Sequence, residues 1–202
     1  MKIKKAIFFS IALTILVGLT LLLILYFKPF NTKQQTEPKP VEVIKEYNYE
    51  LEDRDTELYK NEYHILKEVI SKEKVDFNEY AKQIAKLYII DLYTINNKKN
   101  IYDVGSLEFV YPEVKDNFEL KVKDTIYKYV ENDTGKRQQK LPQVKSVQIN
   151  EFKENTIIFQ NMTLSSYDIK LSWNYIEDLG YDKEAELVLV QDENKIYVLE
   201  QK

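Results

Sequence analysis

One stretch constrains this chain more than any other. Ala6 to Phe27 reads AIFFSIALTILVGLTLLLILYF, without a charged residue. A helix of that length spans about 33 Å, enough to cross the hydrocarbon core of a bilayer. Gly18 stands alone and does not interrupt it. The competing reading is a cleaved signal peptide. The length of the run, the lack of an A-x-A-like site and the bulky Tyr26-Phe27-Lys28-Pro29 oppose it. The span is therefore expected to be a retained single-pass membrane anchor. Residues 1–5 carry Lys2, Lys4 and Lys5, while Lys28 and Lys33 flank the far end, with Lys39 further out. The positive-inside count is nearly balanced. The short basic amino terminus tips it toward a cytoplasmic tail and an extracellular domain.

Residues 28–45 are expected to be a polar tether, since Asn31–Pro40 has two prolines in its last three residues and no apolar period. Residues 46–202 suit one domain, large enough to fold on its own core. There is no cysteine, which excludes disulfides, zinc-thiolate sites and iron–sulfur clusters. Residues 1–45 hold seven lysines against two glutamates, a net of +5, whereas residues 46–202 carry 22 basic against 31 acidic side chains, a net of −9. An acidic domain without a basic run is a poor nucleic-acid binder, because phosphate neutralisation supplies most of that affinity.

Within the domain, Leu58, Tyr59, Glu62, Tyr63, Leu66, Val69 and Ile70 recur at helical spacing and predict a helix over 54–72. Asp76 with Glu79 forms a capping-box pattern. Phe77, Ala81, Ile84, Ala85, Tyr88, Leu92 and Ile95 then line one face of a second helix, which Asn96–Asn100 ends. Pro112 suits the first turn of a third, with Val114, Phe118, Val122, Ile126 and Tyr129/Val130 on its stripe and Asn132–Gly135 as its stop. From Leu141 the period changes to two. Val147 and Ile149 begin an alternation, and Thr156–Phe159 is a β-branched run. Tyr167, Ile169, Leu171, Trp173 and Tyr175 alternate without a slip. Leu187–Val190 and Ile196–Leu199 flank the turn Asp192-Glu193-Asn194-Lys195 as a hairpin. The expected fold class is α+β: an N-terminal transmembrane helix, then helices packed on a C-terminal antiparallel sheet of about four strands, a cone-like roll.

Anchor, tether, helices and a closing meander together resemble the nuclear-transport-factor-2-like α+β cone. In anchored form the arrangement looks like the assembly-factor family of type IV secretion and conjugation machines, including the Gram-positive TcpC-like proteins. The carriers are the helix around Ala81–Tyr88, the strand bearing Trp173 and Tyr175, and the closing hairpin. The Asn-Pro-x-Gly turn of the Gram-negative branch is missing. The resemblance implies an oligomerising extracytoplasmic module of a transfer channel.

The chemistry-bearing residues are few. Gly105, Gly135 and Gly180 are scattered, so no Gly-rich nucleotide loop exists. His64 is the single histidine and is expected on a helix surface. Asp91 falls near the apolar stripe of the second helix, within about 50° on a helical wheel. There it would face tyrosines. Two readings are open: a base of the ketosteroid-isomerase kind with tyrosine donors, or a buried carboxylate that fixes helix to sheet. Asp91, Tyr88, Trp173 and Tyr175 are the candidate ligand-binding residues. Glu177, Asp178, Asp182, Glu184 and Glu186 surround Gly180 and read either as a solvated loop or as a weak calcium site. No catalytic residue, metal site or cofactor is assigned. Fifteen tyrosines lie beyond the tether and suit a wet binding surface or simply strand propensity. The expected function is a non-enzymatic, membrane-anchored extracytoplasmic interaction or assembly module. Its expected partners are the bilayer through residues 6–27 and other membrane or envelope proteins, copies of itself among them. The alternative is an anchored cone that binds a small ligand.

Overall fold

The computed structural model describes residues 38–131 and 139–202. The expected membrane helix over 6–27, its orientation and the Asn132–Gly135 stop lie outside these residues. Among the described residues no helix is long and apolar enough to cross a membrane.

The compact unit begins at Pro38. Strand β1, Pro40–Ile44, pairs antiparallel with β2, Tyr49–Glu52. The tether expected over 28–45 therefore ends in a strand, and the expected boundary at residue 46 falls inside a hairpin turn. Asn48 closes that turn in the left-handed region, at φ 53°. Proline is tolerated at the first position of an edge strand, and Tyr47, Tyr49 and Leu51 give the hairpin a buried side.

Helix α1, Glu57–Ile70, starts where the Thr56 hydroxyl accepts from the Tyr59 amide at 3.2 Å. Helix α2, Phe77–Tyr93, starts at Asp76, whose carboxylate accepts from the amides of Asn78 and Glu79 at 3.0 and 3.2 Å. The capping box is half made, because the Glu79 carboxylate bonds Lys82 instead. The period predicts one buried stripe on α2, yet Tyr80, Leu87, Ile89, Ile90 and Tyr93 are buried as well. The helix is central: α1 packs on one side of it and the sheet on the other. Ile95 continues into a 3₁₀ turn, Ile95–Asn97.

Pro112 opens a 3₁₀ turn, Pro112–Val114, that leads into α3, Lys115–Asp124. Helix α3 stops several residues before the expected end near 130. The Thr125 hydroxyl donates back to the Lys121 carbonyl at 2.6 Å, and the Tyr127 amide reaches the Val122 carbonyl at 2.9 Å. That wider closure turns Tyr127 into the core, and Tyr129 is left outside.

Four strands follow as an antiparallel meander, β3 (Val144–Phe159), β4 (Met162–Tyr175), β5 (Glu184–Asp192) and β6 (Lys195–Gln201), in that spatial order. Strand β3 is one long element, where the sequence suggested two short ones. Bulges between Val144 and Ser146 and between Ile149 and Glu151 break its register. Gln160 and Asn161, at φ 48° and 67°, make the β3–β4 turn without glycine. Tyr167, Ile169, Leu171, Trp173 and Tyr175 all face the core, as their alternation requires. The free side of β6 is covered in part by Phe109–Tyr111, through Val198 N–H to the Phe109 carbonyl at 2.7 Å and Tyr111 N–H to the Val198 carbonyl at 2.9 Å.

Candidate functional site

The four candidate residues do not converge on one place. Trp173 and Tyr175 lie on the core face of β4, and the Trp173 ring is 4.6 Å from that of Tyr93 on α2. Tyr175 donates to the Asp182 carbonyl at 2.7 Å. Tyr88 and Asp91 leave α2 toward different cavities.

Asp91 lines a cleft of about 280 Å³ between the β2–α1 junction and the loop 104–108. Its hydrogen bonds run to Lys98 and Ser106 rather than to a tyrosine hydroxyl. One oxygen pairs with the Lys98 ammonium, and the other accepts the Ser106 amide. The Lys98 side chain is 1% exposed and that of Asp91 is 16% exposed. Ser106 reaches this position with φ 66°, uncommon for a residue with a side chain. Its hydroxyl donates to the Tyr88 carbonyl at 2.8 Å and is thereby spent.

Glu50, Glu52, Asp55 and Glu108 also line the cleft, and burial shifts two of them. Glu108 accepts from the Glu50 amide and from the Tyr59 hydroxyl, both at 3.2 Å. Burial, then the charge of Asp91, pushes it up to about 8. Asp55 accepts from the Glu52 amide at 2.7 Å, and burial pushes it up to about 7. Arg54 bridges Asp103 through both terminal nitrogens and Glu52 through Nε at 2.6 Å. The cleft can thus hold protons near neutral pH. The Ser106 hydroxyl also lies 3.4 Å from the Asp91 carboxylate, but its shorter bond is to the Tyr88 carbonyl.

Tyr88 opens on a larger groove, of about 780 Å³, between the end of α2, α3 and β6. Its walls are Leu92, Val110, Val114, Phe118, Val122 and Val198. Lys121, Lys202, Asp182, Glu184 and Glu200 also line it, and its two buried tyrosines meet in a relay. The Tyr88 hydroxyl donates to Gln201 Oε1 at 2.8 Å, and Gln201 Nε2 donates to the Tyr93 oxygen at 2.7 Å. Burial pushes both phenols above their ordinary range, so both keep their protons. Volume, apolar walls and a few convergent polar groups are the attributes of small-molecule sites.

The remaining expectations are placed as follows. His64 is exposed on α1, 3.5 Å from Glu42. Around Gly180, Glu177 pairs with Lys140 at 2.9 Å and Asp178 with Lys183 at 2.5 Å. Among the described residues no group of three or more His, Asp or Glu side chains is arranged to hold a metal ion. Sequence reasoning missed Lys98, Glu108, Asp55, Tyr93 and Gln201. Lys98 sits in Asn-Asn-Lys-Lys-Asn, which reads as a solvated loop, and Glu108 and Gln201 lie in no periodic pattern. Tyr93 lies at helical spacing from Ile89 and Ile90, but off the stripe that starts at Phe77.

Compared with known proteins, the chain matches no family model, no curated protein and no solved structure.

Proposed function

We propose that this chain is a non-enzymatic interaction module, held outside the cell membrane by residues 6–27 and working in a conjugation- or secretion-type envelope assembly. The uncharged run Ala6–Phe27 supports the anchor. The order of helices and meander supports the likeness to the nuclear-transport-factor-2-like cone and the anchored TcpC-like proteins. The observation that carries an interaction role is α3. Of its ten residues only Val122 is buried. Leu120 on its outer side is 60% exposed, and Tyr129 just beyond is 62% exposed. A helix that buries so little of itself contributes little to its own core, and exposed leucine and tyrosine are what protein interfaces draw on.

The natural absence of cysteine makes the test direct. A single cysteine at Leu120, and another at Lys74 as a control, are introduced into the full chain in its own cells. A membrane-impermeant thiol crosslinker is then added to intact cells. The expected result is a discrete adduct with an envelope protein from Leu120→Cys and none from Lys74→Cys. Lack of labelling in intact cells would overturn the orientation. Equal adducts from both sites would overturn the α3 interface.

A further inference from the structure

We propose that the groove between α2, α3 and β6 is a binding site for a small, uncharged, apolar molecule that carries one hydrogen-bond acceptor, and that a phenolic O–H of the Tyr88–Gln201–Tyr93 relay supplies the donor. The site goes beyond the assembly role above and does not depend on it.

A phenol has one proton to donate, and a side-chain amide offers a single acceptor oxygen. Tyr88 and Tyr93 meet the same amide, that of Gln201, at 2.8 and 2.7 Å. The amide oxygen takes the proton of Tyr88 and the amide nitrogen gives one to Tyr93. The Tyr93 proton is left over. Turning the amide over exchanges the two roles and still leaves one phenolic proton unspent. Both phenols line the groove, and both are buried. That proton faces a groove open to water, so a ligand with its own acceptor replaces the water's bond, whereas one without an acceptor displaces the water and loses it.

The walls set the rest of the ligand. Leu92, Val114, Phe118, Val122 and Val198 offer only apolar surface. The charged side chains are of both signs, Lys121 and Lys202 against Asp182, Glu184 and Glu200, and so select no net charge. A volume of about 780 Å³ suits a molecule of drug-like size or smaller.

Two naphthalene probes of equal bulk test this, 2-acetylnaphthalene with an acceptor and 2-isopropylnaphthalene without one. Binding is measured by equilibrium dialysis of the full chain in lipid nanodiscs against empty nanodiscs of the same lipid. The wild type is expected to bind both and to prefer the ketone about three- to tenfold, the contribution of one neutral hydrogen bond. Gln201→Met frees both phenolic protons and should keep the preference. Gln201→Met combined with Tyr88→Phe and Tyr93→Phe removes every donor of the relay, the amide N–H included, and should lose the preference while still binding the hydrocarbon. The fluorescence of the single tryptophan, Trp173, verifies that each variant is folded. The proposal is overturned if the wild type binds neither probe, if it binds both equally, if Gln201→Met loses the preference, or if the folded triple variant keeps it.

Discussion

At the scale of single residues, the buried ion pair of Asp91 and Lys98 sets the terms. A charge 1% exposed is tolerated only with a partner, and Lys98 has the Asp91 carboxylate. Asp91→Asn should therefore cost about 3 kcal/mol of stability, read from the urea midpoint, because it takes the opposing negative charge from a buried ammonium. A variant as stable as wild type would show that Asp91 is spare and return it to the list of candidate bases. Gly105 is fixed by the same pair. A Cβ there would lie 2.8 Å from the Asp91 carbonyl oxygen and from its carboxylate, and 2.9 Å from Lys98 Nζ. The backbone carbonyl cannot swing aside, so Gly105→Ala should lose about 1–3 kcal/mol. Circular-dichroism melting of the two proteins side by side measures it, and an unchanged melt would mean that loop 104–108 yields freely.

At the scale of elements, polar contacts tie the first hairpin to the rest. Glu108 joins β2 to α1 through the Glu50 amide and the Tyr59 hydroxyl, and Asp55 caps the β2–α1 junction through the Glu52 amide. Burial raises these carboxyls to about 8 and about 7. A folded-state pKa above the unfolded value stabilises the fold fully below the unfolded value, near pH 4. That stability is lost as pH rises through the folded value. Urea stability should thus fall by up to about 6 kcal/mol between pH 5 and pH 8. The double variant Asp55→Asn, Glu108→Gln should flatten the slope, and an unaltered slope would place its origin elsewhere. The helix starts are more ordinary. Thr56→Ala removes the acceptor for the Tyr59 amide and should cost about 1 kcal/mol, measured by the same titration.

At the scale of the whole molecule, residues 38–202 form one compact unit, and its core runs unbroken from Tyr49 through α2 to Ile196. Such a unit should unfold in one step. Trp173 is 2% exposed, central and unique, so its fluorescence reports on the core alone. Its transition in urea should coincide with that of far-ultraviolet circular dichroism. Separate midpoints would mean that hairpin β1–β2 and α1 melt apart from the sheet.

The division between chain pattern and tertiary structure follows one physical line. Signals that act over a few residues were legible. The alternation over Tyr167–Tyr175 and the turn at Asp192–Lys195 are local patterns, and so is the Asp76 cap; each holds in the fold. Other features depend on partners far along the chain. Pro40–Ile44 becomes a strand only because Tyr49–Glu52 lies beside it. β3 runs through its polar middle because β4 supplies the ladder. α2 is buried beyond its stripe because α1 and the sheet both cover it. The sequence alone determined an α+β class with three helices ahead of the closing four-stranded meander, and one uncharged run long enough for a bilayer. Tertiary structure alone decided that Asp91 meets Lys98, and that Tyr88 and Tyr93 share one amide over an open groove. The carboxylate's partner sits past the end of its helix in an irregular loop, and the two phenols meet an amide more than 100 residues away, so no local period encodes either.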